Sequence, residues 1–326
     1  MSTGTPERPR YLIADIGGTH ARFALCSSVQ TIEQISIVDT ADYPTLEQAI
    51  RAYLQRCGNP PVKRAVMGIA NPVLGDHMKM TNSRWEFSIE QTRRALNFDY
   101  LRLINDFTAL ALSLPHLAAT ELEQVGAGTS IPNSPLGLLG PGTGLGVSAL
   151  IPGRNGWAPL AGEGGHTSFA PNSELELQLW QQARQTYGHV SMERLVSGSG
   201  LQFIYQALCR LANAPSQDYS PADISGQALT GACVQCRLAL DTFCAILGTA
   251  ASDLAVTLGA RGGIYIGGGI IPQLGPYFTR SPFRARFEDK GRFSAYLAAI
   301  PVFVITSANP GLLGAAAYID AFPNEQ

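Results

Sequence analysis

The sequence predicts a two-lobed α/β protein, and three observations carry that prediction. A chain of 326 residues is too long for one ordinary core and suits two. Its composition is that of a folded α/β protein, with 45% hydrophobic residues, 15% charged residues and 34 glycines. One event also occurs twice: a β-run enters a glycine-rich turn and a second β-run leaves it. The first copy runs through Tyr11-Leu-Ile-Ala14-Asp15-Ile16-Gly17-Gly18-Thr19 and continues over Ala21–Cys26. The second runs from Leu136 through Gly140-Pro141-Gly142-Thr143-Gly144 to Gly146 and continues over Val147–Ile151.

Between the two hairpins the pattern alternates. Thr45-Leu-Glu-Gln48 reads as a capping box, and Leu46, Ala49, Ile50, Tyr53 and Leu54 then keep helical spacing until Gly58, Asn59 and Pro60 stop the helix. Ala65–Ala70 and Leu101–Ile104 read as buried strands. Phe107, Leu110, Ala111 and Leu114 share one face of a helix predicted over Phe107–Leu117, so Asp106 stands at a strand's C-terminal end where a helix begins. Open α/β sheets bind ligands at such points. Beyond the second hairpin, helices are expected over Glu174–Tyr187, Gly200–Ala212 and Val234–Leu258. Gly263–Ile266 and Pro301–Ile305 are strands, the first leading into Gly267-Gly268-Gly269. Asn309–Tyr318 opens a small-residue helix expected to return to the first lobe. The smaller domain is accordingly residues 1–115 plus 307–326, and the larger 116–306.

The net charge of −2 and pI near 6.2 give no sign of a nucleic-acid or membrane partner, both of which need a basic surface. Met1–Arg10 is polar, with two prolines and no apolar stretch, unlike a signal peptide. The apolar run Ala245–Ala260 is interrupted by Asp253 and is short for a membrane span. The expected location is the cytoplasm. Six cysteines in apolar segments fit reduced packing thiols. Cys233 and Cys236 have metal or redox spacing but lack a second ligand pair, and Cys236 also falls on a helical face with Leu240, Phe243, Cys244 and Leu247.

Three glycine turns carry the chemistry. Glycine lets backbone N–H groups close on a phosphate because no Cβ intervenes. Asp15 through Thr19 supplies such a turn, with a carboxylate able to orient Mg²⁺ and a Thr19 hydroxyl able to meet a phosphate oxygen. The same residues also suit a plain Gly-Gly hairpin. Gly140, Gly142, Thr143 and Gly144 form a second phosphate turn without an acid. Gly267, Gly268 and Gly269 offer a flat backbone surface for adenine, or a tight strand-to-helix turn.

The ordered set is similar to the actin-like, hexokinase-type ATPases, a ribonuclease H-like fold with the active-site cleft between two lobes. Further motifs sharpen the likeness: Ile104-Asn105-Asp106-Phe107, Gly162-Glu163-Gly-Gly-His166, Phe169-Ala-Pro-Asn-Ser173, Glu193-Arg-Leu-Val-Ser-Gly198 and Phe287-Glu-Asp-Lys-Gly-Arg-Phe293. Together they resemble bacterial glucokinases of the non-repressor type from about Tyr11 to Tyr318. The resemblance implies glucose and ATP as substrates, Mg²⁺ as cofactor, a glycolytic role and a homodimer. It implies Asp106 as general base, with Asn105, Glu163, His166 and Glu193 holding the sugar and Ala14, Asp15, Ile16, Gly17, Gly18 and Thr19 in the nucleotide loop. Ala14 stands where the family pattern has Gly, and Pro141 where it has a small residue.

Each residue also has a plainer use. Asp106 can cap the helix that follows it. His166 can be a loop histidine, and Glu193 lies four residues after His189, as in a surface helix pair. Asn82 is a further cleft candidate. Other ATP folds fit less well. None of the three lysines, Lys63, Lys79 and Lys290, lies in a GxxxxGK[ST] frame, and no protein-kinase HRD loop occurs. A galactokinase-like loop at Gly144–Ala149 leaves the first and third turns unexplained. The remaining alternatives are a kinase for fructose or mannose on this scaffold and a non-catalytic sugar sensor.

Overall fold

The structure is a computed structural model that describes residues 10–80, 83–154 and 156–322; Asn82 and residues 1–9 of the polar N-terminal segment lie outside these. In chain order the strands are β1 (Tyr11–Ile16), β2 (His20–Ser28), β3 (Thr31–Asp39), β4 (Arg64–Ile69), β5 (His77–Lys79), β6 (Glu86–Ser88), β7 (Tyr100–Asn105), β8 (Leu122–Val125), β9 (Leu136–Pro141), β10 (Leu145–Gly153), β11 (Gly156–Gly162), β12 (Gly263–Ile266) and β13 (Val302–Ile305). The helices are α1 (Leu46–Arg56), α2 (Ile89–Ala95), α3 (Asp106–Ser113), α4 (Glu174–Tyr187), α5 (Gly198–Leu211), α6 (Pro221–Thr230), α7 (Val234–Leu258), α8 (Ile271–Leu274), α9 (Pro276–Arg280), α10 (Phe283–Glu288), α11 (Ser294–Ala298) and α12 (Pro310–Ala321).

Contacts divide the chain into two units. The first comprises Met1–Ala118, Gly153–Ala161 and Ser307–Gln326, the second Ala119–Pro152 and Gly162–Thr306. The segment Gly153–Ala161, expected in the larger domain, groups with the first unit. A short segment that leaves one unit and returns leaves no mark in composition, so the sequence gives no boundary there.

The first unit holds a sheet of order β3-β2-β1-β4-β7. β1, β2 and β3 form an antiparallel meander, and β1, β4 and β7 run parallel. Parallel strands need crossovers, which α1 and α2 supply, and their interior positions are accordingly apolar, as in Ala65–Ile69. Thr45 caps α1 by accepting from the Gln48 N–H at 3.2 Å, but the reciprocal arm of a capping box is not made, and Gln48 stays exposed. α3 packs against α12 closely enough that a Cβ on Gly314 would stand 1.6 Å from the Ala109 carbonyl oxygen. Only glycine allows that approach.

Five strands of the second unit are ordered β10-β9-β12-β13-β8, with β9, β12 and β13 parallel. α7 forms the core of this unit: Cys236, Ala239, Leu240, Phe243, Cys244, Leu247 and Ala251 are buried. At 25 residues α7 is long and apolar enough to cross a membrane, so length does not exclude a span as the shorter run Ala245–Ala260 did; 78% of its most apolar window is buried in the protein instead. Cys233 is the N-cap of α7, its Sγ accepting from the Cys236 N–H at 3.2 Å, which accounts for the Cys-x-x-Cys spacing. Burial pushes the Cys236 thiol up to about 12. All six cysteines are free.

Several motifs of the glucokinase resemblance turn out to build structure. Ser173 caps α4 and Ser197 caps α5. Glu176, 2% exposed, pairs with Arg286 at 2.7 Å and accepts from the Asn172 N–H. Lys290 pairs with Asp253 and donates to Ser252 Oγ.

Candidate active site

In the first unit, register brings the acids together. Asp15, Gly68 and Ile104 lie in one row across β1, β4 and β7, and Asp106 follows two residues beyond Ile104 at the start of α3. Capping falls to Asn105 rather than Asp106. Asn105 Oδ1 accepts from the Phe107 and Thr108 N–H groups at 2.9 and 3.2 Å, and its Nδ2 donates to Asp106 Oδ1 at 3.0 Å. Asp106 Oδ1 also accepts from the Phe107 N–H at 2.9 Å. Burial pushes the Asp106 carboxyl up to about 6; the Phe107 N–H opposes this, and the negative charge of Asp15 adds to it.

Asp15 faces Arg22 across the first hairpin, with Arg22 Nη1 3.3 Å from Asp15 Oδ2. Burial raises the Asp15 carboxyl and Arg22 lowers it, leaving a net rise. At the tip, Gly17 N–H donates to His20 O at 2.9 Å, and Thr40 clamps the turn through its hydroxyl on Gly18 O at 2.6 Å and its N–H on Thr19 O at 2.8 Å. Gly18, Thr19, Asp39, Thr40, Asp42 and Arg84 help line a cleft of about 550 Å³ there. The side chains of Ala14 and Ile16 are in the core, so these two of the expected nucleotide-loop residues have only backbone to offer.

Mg²⁺ is commonly held by one or two carboxylates and completes its shell with waters and substrate phosphates. Asp15 fits that use: its carboxylate lies near enough to Asp106 to raise it, a repulsion that a divalent cation would relieve. Among the described residues no group of three or more His, Cys, Asp or Glu side chains forms a self-sufficient metal cage.

In the second unit, Gly140 pairs with Gly146 across the β9–β10 hairpin, and the Gly142 N–H closes the turn on Gly144 O at 2.8 Å. Thr143 is exposed at its tip. The third glycine turn leans on this one. Gly267 N–H donates to Leu139 O at 2.8 Å, and Gly268, at φ +78°, lies so close that a Cβ would be 2.5 Å from Pro141 O. Gly268 and Gly269 are exposed beside the hairpin.

Glu163 and His166 flank a short 3₁₀ turn, with His166 Nε2 4.0 Å from Glu163 Oε2 and both side chains more than half exposed. The segment that follows, Thr167–Phe169, pairs with Val190–Met192, and the Glu193 N–H donates to Gly165 O at 2.9 Å. Glu163, His166 and Glu193 therefore come from two hydrogen-bonded segments. α4 ends at Tyr187, so His189 and Glu193 are not a helix pair.

Sequence reasoning missed three contributors: Arg22, Thr40, and the Leu145 N–H that donates to Glu193 Oε2 at 2.9 Å. Only Arg22 had a signal, since the first hairpin's register sets it opposite Asp15.

The family model for glucokinase matches residues 12–322. The chain is 57% identical over 319 residues to a glucokinase of Chromobacterium violaceum, covering 98% of this chain and 92% of that one. A solved glucokinase from an Antarctic psychrotroph matches with a TM-score of 0.88 and 36% identity, over 96% of this chain and 99% of that one. A ROK family glucokinase from Streptomyces griseus, solved with glucose and AMPPNP, shares the fold at a TM-score of 0.63 and 20% identity, over 94% and 98% of the two chains.

Proposed function

The chain belongs to the glucokinase family, with its actin-like α/β fold, and we propose that it moves the γ-phosphoryl group of ATP to the 6-hydroxyl of D-glucose, giving glucose 6-phosphate and ADP. The observation that carries the mechanism is Asp106: half-buried, set at a helix start, released from capping by Asn105 and raised to about 6. It is still mostly ionised at neutral pH, as a base must be. The glucose 6-oxygen bonds to the γ-phosphorus, the bond from that phosphorus to the β,γ-bridging oxygen breaks, and the hydroxyl proton passes to Asp106. Phosphoryl transfer asks for placement and charge stabilisation more than strong base catalysis, so a carboxylate suffices.

Asn105, Glu163, His166 and Glu193 hold the sugar, matching carboxylates, an amide and an imidazole to hydroxyls that both donate and accept. Backbone N–H groups at Gly17–Thr19 and Gly142–Gly144 take the phosphates, and Gly267–Gly269 carry the adenosine. Asp15 would hold Mg²⁺, which would supply charge neutralisation at the phosphate oxygens. Six free thiols, four of them buried, support a reducing cytoplasm, where the product enters glycolysis. The family resemblance supports a homodimer.

The test is ADP release with ATP and Mg²⁺ in the presence of glucose, fructose or mannose. Turnover that depends on glucose supports the proposal. Turnover with another hexose alone keeps the chemistry and changes the substrate, and sugar binding without turnover makes the chain a sensor.

A further inference from the structure

Glu193 makes more contacts than a sugar ligand requires. Its Oε2 accepts the Leu145 N–H at 2.9 Å, and Leu145 is the residue by which the chain leaves the second glycine turn. The fit is close: the three atoms nearest a Cβ built on Gly144 all belong to Glu193, with Oε2 only 2.4 Å away. The other flank of the turn is fixed too, because the Gly198 N–H at the start of α5 donates to Gly142 O at 2.8 Å. Glu193 is itself tied to the Glu163–His166 turn through its N–H on Gly165 O at 2.9 Å. A carboxylate has two oxygens and about four acceptor sites, so Oε2 on Leu145 leaves Oε1 for a sugar hydroxyl.

We infer that Glu193 is a positioning residue for the nucleotide as well as a sugar ligand: one carboxylate braces the Gly142–Leu145 phosphate turn and meets the sugar, so glucose and nucleotide each tighten the binding of the other. The inference rests on the glucose and ATP reading above and deepens it. A sugar hydroxyl on Oε1 fixes the carboxylate, and the fixed carboxylate holds the Leu145 N–H and the turn in place for phosphate. Linkage makes the effect reciprocal, with one factor in both directions.

The experiment is calorimetric titration of AMPPNP with Mg²⁺ and of glucose, each alone and with the other saturating, on wild type, Glu193→Ala, Glu193→Gln and Gly144→Ala. In the wild type each ligand tightens the other by the same factor, about fivefold or more. Glu193→Ala weakens AMPPNP about tenfold with no sugar present, since it removes a charge-assisted hydrogen bond from the turn, and its coupling factor falls toward one. Glu193→Gln keeps an acceptor for the Leu145 N–H, so it restores sugar-free AMPPNP binding while glucose binding stays weak. A contact made only with sugar gives no such split. Gly144→Ala pushes the carboxylate from the nucleotide side and weakens glucose about tenfold with no nucleotide present; with Glu193→Gln it carries the test should Glu193→Ala not fold.

Wild-type AMPPNP affinity in sugar-free Glu193→Ala, or wild-type glucose affinity in nucleotide-free Gly144→Ala, overturns the inference and leaves Glu193 a sugar ligand alone. Robust glucose turnover in the wild type with that result removes this inference only. A wild type that neither binds nor phosphorylates glucose removes the glucokinase reading and this inference with it.

Discussion

Replacing Asp106 with Asn should make the ligand-free protein more stable at neutral pH while removing its activity. Burial and Asp15 raise the Asp106 carboxyl from its ordinary 3.8 to about 6, so the folded chain holds this proton more tightly than the unfolded chain does. Between pH 4 and 6 the folded state therefore binds more protons, and stability falls as pH rises through that window. At 1.36 kcal/mol per pH unit, the gap costs the folded state ~3 kcal/mol once the pH is well above 6. Asparagine keeps an oxygen for the Phe107 and Asn105 donors but brings an amide that needs partners of its own, which trims the expected gain to ~1–3 kcal/mol. The assay is thermal unfolding of both proteins without sugar or nucleotide from pH 4 to pH 8. The difference in Tm should move by roughly 2–6 °C in favour of the variant between pH 4 and pH 8. A variant that is less stable at pH 8, or a difference that does not change with pH, would refute the reasoning that Asp106 is a desolvated carboxylate strained by Asp15.

Other expectations follow from single contacts. Asn105→Ala removes the α3 cap and should lower stability by about 1 kcal/mol in denaturant titration, with Asn105→Ser recovering most of it. Thr40→Val removes the hydroxyl that clamps Gly18 and should raise the KM for ATP about fivefold in steady-state kinetics, leaving the KM for glucose unchanged. Gly314→Ala drives a methyl into the Ala109 carbonyl and should destabilise by ~1–3 kcal/mol, read as a fall in Tm.

Local order was legible where residues signal through their own neighbours. The α7 limits follow from an uninterrupted helical pattern ending at Gly259, which takes the left-handed conformation. Asp106 was legible because a strand must end before a helix can begin. The division of labour between Asn105 and Asp106 was not, since either residue can cap and only the actual rotamers decide. Thr40 reaches the first turn from the far end of β3, and Leu145 meets Glu193 across 48 residues; neither contact has a local pattern to betray it. Ser220-Pro-Ala-Asp223 makes a full capping box for α6, a helix missed because its few apolar positions lie between polar loops. Thr45-Leu-Glu-Gln48 has the same pattern and makes only half of one.

The most direct test of the account is single-turnover phosphorylation of glucose by wild type and Asp106→Asn, at glucose concentrations that saturate each, between pH 5 and pH 8. The account expects the wild-type rate to rise through a pH near 6 and level off. The variant should bind glucose yet react ~10²–10⁴-fold more slowly, with no step near pH 6. A variant rate within tenfold of wild type, or one that keeps the same pH step, would contradict Asp106 as the base.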